Sequence, residues 1–171
     1  MVLFPPGKGG GEDVEHGFKG KGVTNHLLTE GGGMPLSIIT TSAKVSEQDQ
    51  VIKLLAQVRI FGNRKKPRSC PKELEADKGY DCQALRNLLR KKGIRPVIPR
   101  RIRKKCKKQR RGRKPPKNRN RWKVERCFAW IQRKFRRLNI RWERRSKYWD
   151  GFMLLGISLI WITKLEGLNI L

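Results

Sequence analysis

The feature that most limits how this chain can fold is a stretch of positive charge from residue 100 to residue 126. Of these 27 residues 16 are Lys or Arg, and Gly112, Pro115 and Pro116 interrupt the stretch. Like charges at this density repel one another, so the segment predicts a loop that becomes ordered only on a polyanion. We therefore expect a basic loop over residues 99–120, with a core built from the segments on either side.

The charge of the whole chain indicates the kind of partner. Lys and Arg number 42 against 14 Asp and Glu, which gives a formal net charge of +28 over 171 residues. Such an excess is the electrostatic footprint of phosphate binding, and an anionic membrane surface is the weaker alternative. The candidate phosphate-binding residues are Arg100, Arg101, Arg103, Lys104, Lys105, Lys107, Lys108, Arg110, Arg111, Arg113 and Lys114 in the loop, with Arg126 and Arg133 on the helix that follows.

The cysteines and the apolar segments indicate a cytoplasmic protein without a membrane span. Cys70, Cys82, Cys106 and Cys127 show no CxxC pair and no spacing typical of small secreted domains, so we expect free thiols. The first residues, MVLFPPGKGGG, lack the basic and then apolar plan of a signal peptide. The longest apolar run, Phe152–Ile162, is far shorter than the ~20 residues of a membrane-spanning helix.

The N-terminal half is predicted to contain a flexible segment, a hairpin and a helix. Residues 1–22 are rich in glycine and charge, which is typical of a flexible loop or a frayed edge without core elements, so we expect ordered structure from residue 23. HLLT (26–29) and LSIITT (36–41) favour strands, and EGGGMP between them supplies turn residues. Residues 46–61 predict an amphipathic helix that has Ser46 as its N-cap and shares one face among Val51, Leu54, Leu55 and Val58.

The middle of the chain predicts a strand, a helix and a second strand. ELEADKGYD (73–81) contains a strand that ends at the carboxylate of Asp77, CQALRNLLRKKG (82–93) reads as a helix closed by Gly93, and RPVIP (95–99) as a short strand. Units of this kind place polar site residues at the carboxyl ends of their strands, which is where Asp77 lies. The alternative role for Asp77 is that of a helix N-cap.

Two helices are predicted near the C-terminus. Residues 122–138 place an apolar stripe on one side and Arg126 and Arg133 away from it, and Glu125 there has the ordinary alternative of a solvated helix acid. Residues 148–165 are apolar nearly all round, which predicts a helix buried between neighbours. The five tryptophans are expected to pack in the core or an interface, with stacking on bases as the alternative, and they are Trp122, Trp130, Trp142, Trp149 and Trp161.

Three segments together carry a family resemblance: HLLTEGGGMPL (26–36), ADKGYD (76–81), and RWKVERCFAWIQRKFRRL (121–138) followed by RWERR (141–145). The chain resembles the small DDE transposases of bacterial insertion sequences, in the superfamily of insertion sequences four and five. The resemblance implies an α/β, RNase H-like (retroviral-integrase-like) core, in which two aspartates and one glutamate hold two Mg²⁺ ions. It also implies a bacterial, nucleoid-associated protein that binds double-stranded DNA, both the element's terminal inverted repeats and target DNA, with a homodimer as one form.

The motifs assign two of the three acids. The family's second aspartate matches Asp77, with Asp81 the weaker choice, and its glutamate matches Glu125. Arg121 lies one helical turn before Glu125, where it can steady the carboxylate or a DNA phosphate. The signature around the glutamate is only half present, because Asn118 replaces its tyrosine and Gln132 its second basic residue.

The first aspartate has no counterpart in the chain. In the family it begins a phrase of the type Asp-Gly-Ser-Phe, and aligning that phrase with Leu3 and Phe4 puts the aspartate at about Met1. We therefore expect an N-terminally truncated copy, whose residues 23–171 form a partial catalytic domain with a β-hairpin and long C-terminal helices. Glu30 is the nearest substitute, and the family pattern makes it an accessory acid.

Three functions remain open at this point. The first is an insertion-sequence transposase that cleaves phosphodiester bonds and transfers strands with Mg²⁺. The second is a catalytically inactive, DNA-binding remnant of such an enzyme. The third is an unrelated basic RNA-binding protein, such as a ribosomal one, which the motifs and the long apolar C-terminal helix disfavour. An aspartate on the first core strand would separate the first function from the second.

Overall fold

The structure, a computed structural model, describes residues 2–17, 19–61, 70–101 and 120–167. Over these ranges the chain is a mixed α/β protein. The strands are β1 (Val2–Leu3), β2 (Glu15–Gly17), β3 (Gly20–Thr29), β4 (Pro35–Ser42), β5 (Glu73–Glu75) and β6 (Arg95–Val97). The helices are α1 (Glu47–Gln57), α2 (Gln83–Lys91), α3 (Arg121–Lys134) and α4 (Ser146–Leu165), with 3₁₀ turns at Lys78–Tyr80 and Arg136–Asn139.

The main sheet is antiparallel and is organised around β3. Strand β4 pairs with β3 from Val23↔Ser42 to Thr29↔Pro35, which confirms the predicted hairpin. Strand β1 pairs with β3 through Val2↔His26 and Leu3↔Asn25, and β2 pairs with its first residues. Strand β3 begins at residue 20, before the predicted HLLT segment. Its first residues pair with β1, β2 and β4, and the local sequence does not reveal these partners.

The second sheet is a parallel pair, β5 and β6, connected through α2. Its register runs from Glu73↔Arg95 to Glu75↔Val97, which confirms the predicted strand–helix–strand unit. Helix α2 ends where Gly93 adopts a φ of +73°, a conformation that glycine adopts at little cost. The C-cap role predicted for Gly93 is therefore confirmed.

Side chains of β3 alternate between two cores, one on each face of the sheet. Leu27 belongs to the core against α3 and α4, whereas the neighbouring Leu28 packs against the core that contains α1, α2, β5 and β6. Helix α1 starts after Ser46, whose side chain makes no capping hydrogen bond. Its predicted apolar face is buried in full, through Val51, Leu54, Leu55 and Val58.

Buried polar groups fix α4 on the sheet. The Oδ1 atom of Asn25, fully buried, accepts hydrogen bonds from Trp149 Nε1 at 3.2 Å and Thr40 Oγ1 at 3.1 Å. Trp161 Nε1 donates to the carbonyl of Pro35 at 2.6 Å. Such groups are costly to bury unpaired, so they specify one position for α4. The packing role predicted for these two tryptophans is confirmed.

The N-terminal segment corrects one expectation. Residues 1–22 contain β1 and β2, so the prediction of a loop without core elements is wrong. The glycine-rich part lies against residues 141–146: the Arg141 amide donates to the Pro6 carbonyl at 2.9 Å, and the Gly9 amide donates to the Arg141 carbonyl at 3.4 Å. Arg141 itself is fully buried and donates to Ser146 Oγ at 3.1 Å. The glycines permit this close approach of two backbones.

The C-terminal helices correct two more expectations. Helix α3 ends at Lys134 and a 3₁₀ turn follows, whereas one helix was predicted over residues 122–138. Helix α4 is not buried between neighbours, because only the side that faces the sheet is covered and residues such as Phe152 and Leu155 are exposed. None of the helices in the described ranges has the length and apolarity to cross a membrane.

We expect Gly9→Ala to destabilise the fold. A Cβ atom on Gly9 would lie 2.1 Å from the carbonyl oxygen of Trp142, which is backbone and cannot rotate away. Overpacking of this kind costs about 1–3 kcal/mol in the free energy of unfolding, measurable by urea denaturation. Gly31→Ala is the matched control, since a Cβ there meets nothing within 4 Å. Equal midpoints for the two variants would contradict the described packing.

His26 gives the fold a specific pH dependence. Burial lowers its pKa from 6.5 to about 4, so between these values the unfolded chain takes up a proton that the folded protein does not. Its contribution is present above pH 6.5 and is lost as the pH falls towards 4. Between pH 7 and pH 5 this amounts to about 2 kcal/mol of unfolding free energy. Urea denaturation at pH 7 and at pH 5 gives this decrease in unfolding free energy. His26→Gln should remove the decrease, and His16→Gln, at an exposed position, should keep it.

Candidate active site

A cluster of polar side chains forms where the end of β5 meets the start of α3. Glu75 accepts hydrogen bonds from the backbone and side-chain amides of Asn120, the residue before α3. Arg121 Nη1 donates to Asp77 Oδ2 at 3.1 Å, and its Nε donates to Glu125 Oε1 at 2.8 Å. One guanidinium thus connects the two acids that the family motifs assign, although they lie 48 positions apart.

Asp77 caps a 3₁₀ turn and also contacts the cluster. Its Oδ1 atom accepts a hydrogen bond from the Lys78 amide at 2.6 Å and caps the 3₁₀ turn, while Oδ2 points to Arg121. The side chain is 34% exposed, so solvent and a ligand can reach it. The capping hydrogen bond uses Oδ1 and fixes the carboxylate, so that Oδ2 faces the cluster.

Asp81, the other acid of the same motif, is structural. It accepts from Arg86 Nε at 2.9 Å and from the Arg101 amide at 2.6 Å, and Arg86 also donates to the carbonyl of Ile98. Burial alone would raise the pKa of Asp81, but the hydrogen bonds from Arg101 and Arg86 lower it below its usual value. Asp81 therefore holds α2 and the end of β6 together.

Glu30 is engaged in its own turn. Its carboxylate accepts hydrogen bonds from the amides of Gly32 at 2.6 Å and Met34 at 3.1 Å, which closes the β3–β4 turn. Lys123 and Arg126 then bind the carbonyls of that turn, at Gly31 and Gly32. Among the described residues no three acidic, His or Cys side chains are grouped closely enough to hold a metal, although Glu30 lines the same cavity as Asp77.

The predicted phosphate-binding residues fall into three groups. Arg100, Arg101 and Arg133 are exposed. Arg126 lies between the rings of Trp122 and Trp130, 4.7 Å from each centroid, which gives it a packing role in addition to its bond with the turn. The remaining ones lie outside the described ranges, and they are Arg103, Lys104, Lys105, Lys107, Lys108, Arg110, Arg111, Arg113 and Lys114.

A large cavity opens beside the cluster, between the two sheets. Its volume is about 610 Å³, and its walls include Leu27 and Leu28 of β3, Leu74 of β5, and the side chains of Asp77 and Arg121. The described β1–β3 pairing ends at Val2↔His26, and the next β3 residues, Leu27 and Leu28, line the cavity. The cavity thus separates the edges of β3 and β5 in the described part of the chain.

The chemistry of the cluster fits a hard divalent cation. Asp77 and Glu125 offer carboxylate oxygens, and Mg²⁺ is commonly bound through one or two carboxylates with water and substrate phosphate completing its shell. Hydrogen bonding to Glu125 and the charge of Asp77 raise the pKa of Arg121, which stays cationic. Two acids and one arginine therefore meet at an accessible edge.

The sequence could have revealed one of the missed residues. Glu75 lies two positions before Asp77, and alternate residues of a strand share a face. Asn120 gave no comparable signal, because its partner lies 45 positions away and the residues just before it belong to the basic stretch.

Two comparisons with known proteins both indicate a transposase. The family model described as a transposase DDE domain matches residues 5–161. A protein from Burkholderia cepacia, named as a transposase for insertion sequence element IS402, is 38% identical over 140 residues. That match covers 81% of this chain and 62% of the relative, so the chain spans less than two thirds of the relative's length. No solved structure matches the chain.

Substitution of the two aspartates of ADKGYD should have different effects on the free energy of unfolding. We expect Asp81→Asn to lower the free energy of unfolding by roughly 1.5–3 kcal/mol, because it weakens a charged hydrogen bond to the largely buried Arg86. Asp77→Asn should stay within about 0.5 kcal/mol of the parent, since asparagine also caps and the side chain is partly exposed. Urea denaturation of both variants checks this. The reverse order of stabilities would be incompatible with the roles given to these residues.

Proposed function

This chain belongs to the DDE-domain transposases, and from that premise we propose that it cleaves and joins DNA at the ends of an insertion sequence. The observation that carries the proposal is the pairing of Asp77 and Glu125 through Arg121. These acids come from a strand end and from a helix, so only the folded chain brings them together. The DNA partners we propose are the element's terminal inverted repeats and a double-stranded target.

Asp77 and Glu125 are the residues that would hold Mg²⁺. The ions would stabilise charge on the attacking and leaving oxygens of the phosphodiester displacement. The chain's own part is to orient the two carboxylates: the Lys78 amide fixes Asp77 and the guanidinium of Arg121 fixes Glu125. Arg121 would also place a permanent positive charge where a DNA phosphate approaches, and Arg100, Arg101 and Arg133 are further exposed cations that would bind phosphates.

The finer fold proposal is an RNase H-like core. It is supported by the antiparallel β3–β4 hairpin, the parallel β5–β6 pair around α2, and the cavity between the two sheets. We infer that a third carboxylate of the site would lie in this cavity, which Asp77 lines. The same proposal has four further parts. Residues 23–171 form the catalytic domain and residues 99–120 its DNA-binding loop. The protein forms a homodimer and associates with the nucleoid.

The test is a Mg²⁺-dependent cleavage assay on a labelled duplex that carries the terminal repeats flanking this gene. We expect Asp77→Asn and Glu125→Gln each to reduce cleavage by on the order of 10²-fold or more, because each removes a charged metal ligand. Glu73→Gln is the matched control, since Glu73 lies on β5 just before Asp77 but forms an exposed ion pair with Arg95. Band shifts without Mg²⁺ should be similar for all four proteins.

The other outcomes are equally informative. Cleavage that survives both site substitutions would overturn the assignment of the two acids. DNA binding without cleavage, with cleavage gained when a strand that carries an aspartate is added before β1, would support the third carboxylate and make the chain by itself a DNA-binding protein. Absence of both binding and cleavage would remove the proposed function.

A further inference from the structure

Arg121 is bonded to the oxygen atom of Asp77 that faces the candidate metal site. Oδ1 of Asp77 accepts the capping hydrogen bond from the Lys78 amide at 2.6 Å, so Oδ2 is the oxygen directed at the cluster. Arg121 Nη1 donates to this Oδ2 atom at 3.1 Å. A cation that binds Asp77 from the cluster therefore has to displace Nη1.

The second contact of Arg121 does not have to break at the same time. Its Nε atom donates to Glu125 Oε1 at 2.8 Å, and the two residues lie four positions apart on one helix. This bond uses one of the two oxygens of Glu125. Because it lies within α3, it can persist while Nη1 leaves Asp77.

The contact between Arg121 and Asp77 is exposed and exchanges easily. Their side chains are 50% and 34% exposed, against 11% and 18% for Arg86 and Asp81. Exposed ion pairs contribute little free energy, because water replaces either partner at little cost. Arg121 can therefore move between Asp77 and another anion.

The anion that fits Arg121 follows from the charges around it. Glu75 is bonded to Asn120, and the Lys123 side chain is bonded to the carbonyl of Gly31, so both have partners of their own. A divalent cation would neutralise the two carboxylates of the site and leave the Nη atoms of Arg121 without one. A DNA phosphate matches the planar, always charged guanidinium fork.

We propose that Arg121 is a positioning residue that couples metal binding to DNA binding, an inference that rests on the proposed function. Without metal, Nη1 holds Asp77 Oδ2. When a metal takes that oxygen, Nη1 turns to a DNA phosphate and Nε stays on Glu125. Metal therefore strengthens DNA binding, and by reciprocity DNA strengthens metal binding by the same factor.

Titration of the DNA-free full chain with Mn²⁺ tests the competition, with the unbound ion measured by electron paramagnetic resonance. Mn²⁺ takes the same oxygen ligands as Mg²⁺. Arg121→Gln should raise the affinity for Mn²⁺ by about fivefold, the upper range for an exposed ion pair. Lys78→Gln is the matched control, because it removes an equal charge next to Asp77 and leaves Nη1 on Oδ2, so it should change the affinity by less than about twofold.

Fluorescence anisotropy of a labelled terminal-repeat duplex, read before cleavage proceeds, gives the reciprocal measurement. Without Mg²⁺, Arg121→Gln and Lys78→Gln should bind the duplex with similar affinity. With Mg²⁺ at the same ionic strength, Arg121→Gln should bind roughly fivefold more weakly than Lys78→Gln, because Arg121 reaches the phosphate only when metal holds Asp77. An equal difference under both conditions would overturn the coupling.

The Mn²⁺ titrations also separate this inference from the proposed function. If Asp77→Asn weakens Mn²⁺ binding and Arg121→Gln does not strengthen it, the metal assignment stands and the competition is overturned. If the double variant Asp77→Asn, Arg121→Gln binds Mn²⁺ as tightly as Arg121→Gln, Asp77 is not a ligand and both proposals fail. Arg121 and Lys78 are exposed, so the unfolding midpoints of their variants in urea should match that of the parent.

Discussion

The first two turns of α3 connect the two halves of this structure. On one side Asn120 and Arg121 bind Glu75 and Asp77 at the end of the parallel sheet. On the other side the side chains of Lys123 and Arg126 bind carbonyls of the β3–β4 turn. A cavity of about 610 Å³ separates the sheets next to this contact. The helix start therefore fixes the distance between the sheets and, through Arg121, the relative positions of the two candidate metal ligands.

The scarcity of acids explains why so few can serve in a site. The chain has 14 acids for 42 cations, and several hold the fold together. Glu12 and Asp13 bind Ser146 at the start of α4, and Glu143 pairs with Arg137. Asp77 and Glu125 share one half-exposed partner, Arg121, and are themselves 34% and 47% exposed, whereas Glu143 is 7% exposed. An exposed arginine can exchange a carboxylate for solvent or phosphate at little cost, whereas the buried Arg86 cannot leave Asp81.

Local sequence was sufficient where a pattern and its partner lie close together. The hairpin from residue 26 to residue 41, helix α1 and the β5–α2–β6 unit follow from periodicity and turn residues within some 25 positions. The N-terminal segment could not be predicted in this way, since Gly9 is ordered by contacts with residues 141 and 142. Periodicity also identified α4 as a helix, but a helix that is apolar all round does not reveal which of its sides the sheet will cover.

The candidate site shows the same division more sharply. Nothing in spacing or composition connects Asp77 with Glu125, and only the family motifs singled them out before the fold did. The structure adds Glu75 and Asn120 to the cluster. The carboxylate of Glu30 bonds to its own turn, and that of Asp81 bonds to Arg86.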